Sequence, residues 1–303
     1  MSRSVSPRRY LQLDVFAERP GAGNPLGVVF DASDFDTASM QAFAAWTNLS
    51  ETIFLLPPTT PAADYRVRIF TPRQELPFAG HPSVGAAWAV LEGGIVDARD
   101  ALVQECAAGL LPVRIAQVGG ARVVHVRAPR ASEVPVDDAS TLALLDAALR
   151  GLPRGRQAPA LWNNGPAWWI AELADAATVR RMEPDLPAIA ALTRSGDMVG
   201  LAVYGRSEAP DHQLAVRAYC PADNIPEDPV TGSVNACIAA QFAQSRALPG
   251  TGGRYVASQG RELGRDGRVH VELDADGEVW IGGQVQCVID GRVAWPSRMG
   301  DGA

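Results

Sequence analysis

Two short segments carry side chains suited to acid–base chemistry. One is FAGHPSVGAA, Phe78–Ala87, where His81 stands between Gly80 and Pro82. The other is PEDPVTGSVN, Pro226–Asn235, where Asp228 is followed by Thr231, Gly232 and Ser233. Both read as the opening of a helix. A helix start exposes backbone N–H groups without intrahelical acceptors, at the positive end of the helix dipole. Such a start cradles a carboxylate or a phosphate. Gly80 and Gly232 would let the anion approach the backbone, and Ser83 and Ser233 would add hydroxyls. The alternative is ordinary capping by Ser83 and Thr231, each contributing about 1 kcal/mol. The recurrence of the pattern favours binding.

Of the four histidines, His125 and His270 lie in alternating strand patterns and His212 in a polar turn. Only His81 sits at a glycine–proline helix start, and its ring can exchange a proton near neutral pH. Pro229 holds Asp228 in an extended dipeptide, ready for a ligand amine or for His81. Glu227 reads as solvent-facing. Glu51, in NLSETIFLL, stands where an amphipathic helix meets an apolar strand. A surface position is the usual fate of a glutamate. A desolvated one would acquire the raised pKa that a general acid/base needs. Asn24, in the turn GAGNPLGVV, joins the substrate-binding candidates. That turn lacks G-x-G-x-x-G spacing and a following helix, which argues against a dinucleotide. No cofactor and no metal are expected. Cys106, Cys220, Cys237 and Cys287 form no C-x-x-C pair and lie near no histidine at zinc spacing. They read as buried free thiols in a reducing compartment.

The elements that must position these residues are mostly strands. YLQLDVF, LGVVF, TIFLL and DYRVRIF near the start, and AWWIAEL, MVGLAVYG, QLAVRAY, RYVAS, RVHVELD and EVWIGGQVQCVI later, have strand patterning. DTASMQAFAAWTN places Met40, Phe43, Ala44 and Thr47 at helical spacing, with Asp36 or Thr37 as cap. The helices opening at His81 and Thr231 are small and apolar on nearly all sides, so they are expected to be buried all round. Strict strand–helix alternation is absent, and the class is α+β.

RVRIFTPRQELPFAGHPSVGAA also resembles AVRAYCPADNIPEDPVTGSVNA. Phe70-Thr71-Pro72 matches Tyr219-Cys220-Pro221, Pro77 matches Pro226, and Ser83-Val84 matches Ser233-Val234. Two copies of strand, polar loop and buried helix imply duplicated domains. Facing copies would form a ligand cleft. The stretch Arg127–Ser140 is the linker candidate. The expected domains are residues 1–128 with 291–303, and residues 129–290.

The chain has 303 residues and a net charge of −7, with no basic stripe, so a nucleic-acid partner is not expected. No segment has the length and apolarity of a membrane span, and the N-terminus lacks a signal-peptide pattern. The cytoplasm is the expected location.

LDVFAERPGAGNPLGVV, NLSETIF, RIFTPRQELPFAGHPSVGAA, PEDPVTGSVN and SQGRELGRDGRVHVEL, in that order, resemble the PhzF family of phenazine-biosynthesis isomerase-like proteins. The resemblance implies a diaminopimelate-epimerase-like fold. Two similar domains, each a curved, mostly antiparallel sheet around a central helix, would be related by a pseudo-two-fold with the site between them. It implies Glu51 as catalytic acid/base, His81 and Asp228 as substrate-contacting groups, and Gly80, Gly232 and Ser233 as carboxylate holders. The reaction implied is like that of trans-2,3-dihydro-3-hydroxyanthranilate isomerase, and a homodimer is expected by analogy. Racemases of the wider fold carry a cysteine in each loop. Here Phe78-Ala79-Gly80 and Glu227-Asp228-Pro229 stand instead, against a two-thiol mechanism. The expected activity is therefore a cofactor-independent isomerase of a small, cyclic amino or hydroxy carboxylate, with Glu51 moving a proton between carbons. The alternatives are an epimerase or dehydratase acting beside a carboxylate, and an idle binding protein on the same scaffold.

Overall fold

In the computed structural model, which describes residues 6–299, the chain divides into two units. The first runs to Val126 and resumes at Gly282; the second spans Arg127–Ile281. The first contains β1 (Arg8–Val15), β2 (Asn24–Val29), α1 (Thr37–Thr47), β3 (Glu51–Leu56), β4 (Tyr65–Phe70), β5 (Glu75–Leu76), α2 (Gly80–Glu92), β6 (Ala101–Cys106), β7 (Gly109–Val118) and β8 (Ala121–Arg127). Strands β2 and β3 pair parallel, as do β4 and β6. The pairs β1–β2, β3–β4, β4–β5, β6–β7 and β7–β8 are antiparallel. A terminal strand, Val285–Val293, returns to pair with β1 along its length, so residues 285–290 are laid into this sheet.

Successive side chains of a strand face opposite ways. Phe54 of β3 and Phe70 of β4 therefore meet Met40, Phe43 and Ala44 of α1 in one apolar cluster. Asp36 caps α1 by accepting from the Ser39 N–H at 2.8 Å. The opposite face, with Ile53 and Leu55 buried, is where α2 packs against β1, β2, β3, β4 and β6. The smallness of α2 follows from how closely the sheet surrounds it. A Cβ on Gly85 would lie 2.3 Å from Leu26 Cδ2 and 3.2 Å from Val15 Cγ2.

The second unit contains β9 (Ser132–Val134), α3 (Ala139–Ala148), β10 (Ala160–Asn163), β11 (Ala167–Glu172), α4 (Ala176–Arg181), α5 (Leu186–Arg194), β12 (Gly200–Arg206), β13 (Leu214–Cys220), β14 (Ile225–Asp228), α6 (Gly232–Ser245), β15 (Arg254–Gln259), β16 (Gly267–Leu273) and β17 (Val279–Gly283). Its pairing pattern repeats that of the first. The pairs β11–β12 and β13–β15 are parallel. The pairs β10–β11, β12–β13, β13–β14 and β15–β16 are antiparallel. Helices α3 and α5 cover one face of this sheet, through Leu145, Ile189 and Leu192 against Trp169, Leu201, Val203 and Tyr219. Helix α6 contacts β9, β11 and β16.

Both units are thus α+β, with a mostly antiparallel sheet and one small-residue helix packed on it. The linker candidate Arg127–Ser140 begins where the second unit begins; within it Ser132–Val134 pairs with β10 and Asp138 caps α3. One expectation needs correction. The cysteines are all free, but only Cys106, Cys220 and Cys237 are buried; Cys287, on the terminal strand, is exposed. Among the described residues no helix is long and apolar enough to cross a membrane.

Candidate active site

Strand alternation decides where Glu51 points. It opens β3 two residues before Ile53, so it shares the face that looks toward α2. His81 lies in the first turn of α2, and its Nε2 is 3.4 Å from Glu51 Oε2. Both are withdrawn from water, with side-chain exposures of 7% for His81 and 16% for Glu51. Burial pushes the His81 pKa down to about 3, against the opposing pull of a bond to the Pro25 carbonyl. The ring is therefore neutral. Nε2 has no hydrogen-bond partner, so the bond to Pro25 uses Nδ1–H. Nε2 is then a lone-pair acceptor facing a carboxyl oxygen. One proton between them satisfies both, and a proton taken up by Glu51 has an acceptor waiting.

The first residues of β2 brace this pair. Asn24 is buried, and its Oδ1 accepts from Ser50 Oγ at 2.9 Å, which ties the start of β2 to the residue before Glu51. Ser83 also faces inward. Its hydroxyl donates to the Ala79 carbonyl at 2.9 Å and accepts from Gln104 Nε2 at 2.9 Å. Its proton is therefore committed within the fold.

In the second unit, Asp228 ends β14 and is half-buried. Its Oδ2 accepts from Thr231 Oγ1 at 2.5 Å. Ser233 behaves differently from Ser83. Its oxygen accepts from Trp168 Nε1 at 3.1 Å, and its carbonyl accepts from Asn164 Nδ2 at 3.0 Å. An indole N–H only donates, so the Ser233 hydroxyl keeps its own proton to offer. Glu227 does not face solvent as expected. Arg217 of β13 grips it with both nitrogens, at 2.9 and 2.8 Å, with side-chain exposures of 6% for Arg217 and 7% for Glu227.

The helix ends separate the binding expectation from the capping one. Helices α1, α3, α4 and α5 each have an aspartate cap, at Asp36, Asp138, Asp175 and Asp185. The N-caps of α2 and α6 are Ala79 and Thr231, and neither side chain makes a capping bond. Capping by Ser83 and Thr231 does not occur, because Ser83 bonds the Ala79 carbonyl and Thr231 bonds Asp228. The two helix starts that carry Gly80–His81 and Gly232–Ser233 are thus the ones, among these six α-helices, whose N-cap side chains make no capping bond.

Glu51, His81, Asn24, Gly80 and Ser83 are gathered in the first unit. Asp228, Thr231, Gly232 and Ser233 are gathered in the second. Reading the sequence missed Ser50, Trp168, Asn164, the Arg217–Glu227 pair and Gln259. A signal existed for two of them. Arg68 and Arg217 occupy matched places in VRIF and VRAY, and each grips a glutamate of the following hairpin, Glu75 at 2.6–2.7 Å and Glu227. SQGRELGRDGRV explains itself through packing: Gly260, with φ of 91°, would place a Cβ 2.5 Å from the Pro229 oxygen, and Gly267 would place one 2.4 Å from Val230 Cγ2. Among the described residues no group of histidine, cysteine, aspartate and glutamate side chains is arranged to hold a metal.

The family model described as phenazine biosynthesis-like protein, PhzC-PhzF, matches residues 13–291. The chain is 34% identical over 290 residues to trans-2,3-dihydro-3-hydroxyanthranilate isomerase of Pseudomonas aeruginosa, covering 94% of this chain and 98% of that one. A solved structure of a predicted epimerase from Pseudomonas aeruginosa superposes with a TM-score of 0.74 at 32% identity, over 94% of this chain and 99% of that one. A Bacillus anthracis phenazine-biosynthesis protein superposes with a TM-score of 0.81 over 95% and 99% of the two chains; at 23% identity it speaks for the fold. The diaminopimelate-epimerase-like fold is the one this chain adopts.

Proposed function

The chain belongs to the phenazine biosynthesis-like PhzC-PhzF family, and on that premise we propose that this isomerase moves a proton between carbons of a small, cyclic amino or hydroxy carboxylate without a cofactor. Glu51 is the acid/base. Its carboxylate takes a proton from carbon, the electron pair spreads into the conjugated system, and the same carboxyl returns the proton at another carbon of that system. The approach of Glu51 Oε2 to the lone pair of neutral His81, 3.4 Å away at a helix start whose N-cap, Ala79, makes no side-chain capping bond, carries the reading. First-turn N–H groups at the start of α2, beside Glu51 and His81, receive the charge that develops, and the start of α6 with the Ser233 hydroxyl suits a carboxylate. Asp228 accepts from the substrate amine or hydroxyl.

Supporting this reading, the Pseudomonas aeruginosa relative is named an isomerase of a hydroxyanthranilate, itself a cyclic amino and hydroxy carboxylate. A panel of cyclic amino and hydroxy carboxylates, followed by proton-exchange NMR, tests it. Wild-type protein is expected to convert at least one member, and Glu51→Gln to bind that member without converting it. Comparable turnover by the Gln variant would refute the assignment.

A further inference from the structure

Gln259, the last residue of β15, has no exposed surface. Its amide makes four bonds, all to the Asp228 loop and the first turn of α6. Nε2 donates to the Asp228 carbonyl at 3.1 Å and to Thr231 Oγ1 at 2.9 Å. Oε1 accepts from the Thr231 N–H at 3.1 Å and from Asn235 Nδ2 at 3.3 Å. Two of these partners leave no choice of amide orientation: a backbone carbonyl only accepts, and a backbone N–H only donates. The Thr231 hydroxyl therefore receives an N–H from Gln259. Its own proton goes to its remaining neighbour, Asp228 Oδ2 at 2.5 Å.

We infer that Gln259 and Thr231 form a one-way relay that holds Asp228 as a hydrogen-bond acceptor, an aimed carboxylate suited to a substrate N–H or O–H donor. The inference rests on the proposed substrate role of Asp228. Gln259 and Thr231 are positioning residues that act through it. A donor aimed at the charged form of a carboxyl favours that form. Here the direction of the donor is set one residue further back, by an amide that cannot turn. The surrounding loop is equally constrained. Gly260 admits the Pro229 carbonyl where any Cβ would collide, and Arg217 holds Glu227, the neighbour of Asp228. A glutamine that merely satisfied loop backbone would leave the Asp228 carboxyl indifferent to the loss of the Gln259 amide, although the carboxyl would still respond to the loss of the Thr231 hydroxyl.

A ¹³C NMR titration of aspartate carboxyls in the unliganded full chain tests this, with Asp228→Asn assigning the resonance. Thr231→Val and Gln259→Leu are expected to raise the Asp228 midpoint by roughly one pH unit, whereas Thr231→Ser leaves it in place. The acid limb of kcat/KM for a converted carboxylate should move with the midpoint in Thr231→Val and stay put in Thr231→Ser. An unmoved midpoint in folded Thr231→Val overturns the relay. If Gln259→Leu does not fold, the Val and Ser pair decides alone. Full turnover by Asp228→Asn would overturn the substrate role of that residue; the relay would still be read by the titration, which needs no substrate.

Discussion

Glu51 and Gly200 occupy the same place in the two repeated sheets. Glu51 pairs in parallel with Leu26 and precedes Thr52, which faces Phe70. Gly200 pairs in parallel with Trp168 and precedes Leu201, which faces Tyr219. Phe70 and Tyr219 are matched positions of the internal repeat. One unit therefore has a carboxyl where the other has no side chain at all. The asymmetry favours proton transfer by a single acid/base over a pair of opposed ones.

A single acid/base makes a labelling prediction. Glu51→Gln should lower kcat by at least about 100-fold, the usual contribution of a positioned acid/base, with ligand affinity nearly unchanged. Wild-type turnover of substrate deuterated at the reacting carbon should carry part of the label to the new position. Isothermal titration and NMR of the product check both. Complete loss of label to solvent at every turnover would count against one carboxyl doing both steps.

Gly200 should not accept a side chain. A Cβ there would lie 2.3 Å from the Tyr219 carbonyl oxygen and 2.4 Å from Trp168 Cζ3. Overpacking of this kind costs about 1–3 kcal/mol. Gly200→Ala is therefore expected to lower the urea midpoint clearly, and Gly200→Glu to do so further without creating a second acid/base.

His81 makes stability fall on acidification. Its pKa is pushed down to about 3 in the fold, against about 6.5 in the unfolded chain. Between those values the unfolded state binds the proton and the folded state does not, so stability rises with pH. The contribution is fully present above the unfolded value and is lost as pH falls through the window toward the folded one, by up to a few kcal/mol. Urea unfolding at pH 7 and pH 5 should show the drop in wild type and a smaller one in His81→Asn. An equal drop in both would locate the effect elsewhere.

The Arg217–Glu227 pair should be costly to break from one side. Both members are nearly fully buried, and Arg217 also donates to the Met182 carbonyl at 2.6 Å. Removing one partner from such a pair costs about 3–5 kcal/mol, because the other charge stays buried without its two hydrogen bonds; the charged partner left to Arg217 would be Glu262, at 3.9 Å. Glu227→Gln and Arg217→Met are each expected to destabilise strongly, and the double variant by less than their sum. A double-mutant cycle in urea measures that coupling. Additive losses would show that the two charges act independently.

Much of this was legible without coordinates because it is periodic. Tyr65, Val67 and Ile69 alternate and are buried, and Met40, Phe43 and Ala44 form the inner side of α1. What could not be read depends on partners distant along the chain. Glu227 looks like any surface glutamate until Arg217 is placed beside it. Ser132–Val134 looks like linker until β10 supplies its hydrogen bonds. Gln259 sits in a motif whose glycines signal close packing but not what they pack against.

Residue order alone determined the alternation that turns Glu51 to one face of β3, the all-round smallness of α2 and α6, and the doubling of strand, loop and helix. Those follow from local chemistry and short-range periodicity, which a chain carries with it before it folds. Only the tertiary structure decided that His81 is neutral with its Nε2 lone pair toward Glu51, that the Ser233 hydroxyl keeps its proton while that of Ser83 is committed, and that Gly200 has no room for a second acid. Protonation, hydrogen-bond direction and steric room are set by whichever atoms arrive from elsewhere in the chain, and their identity is fixed by packing.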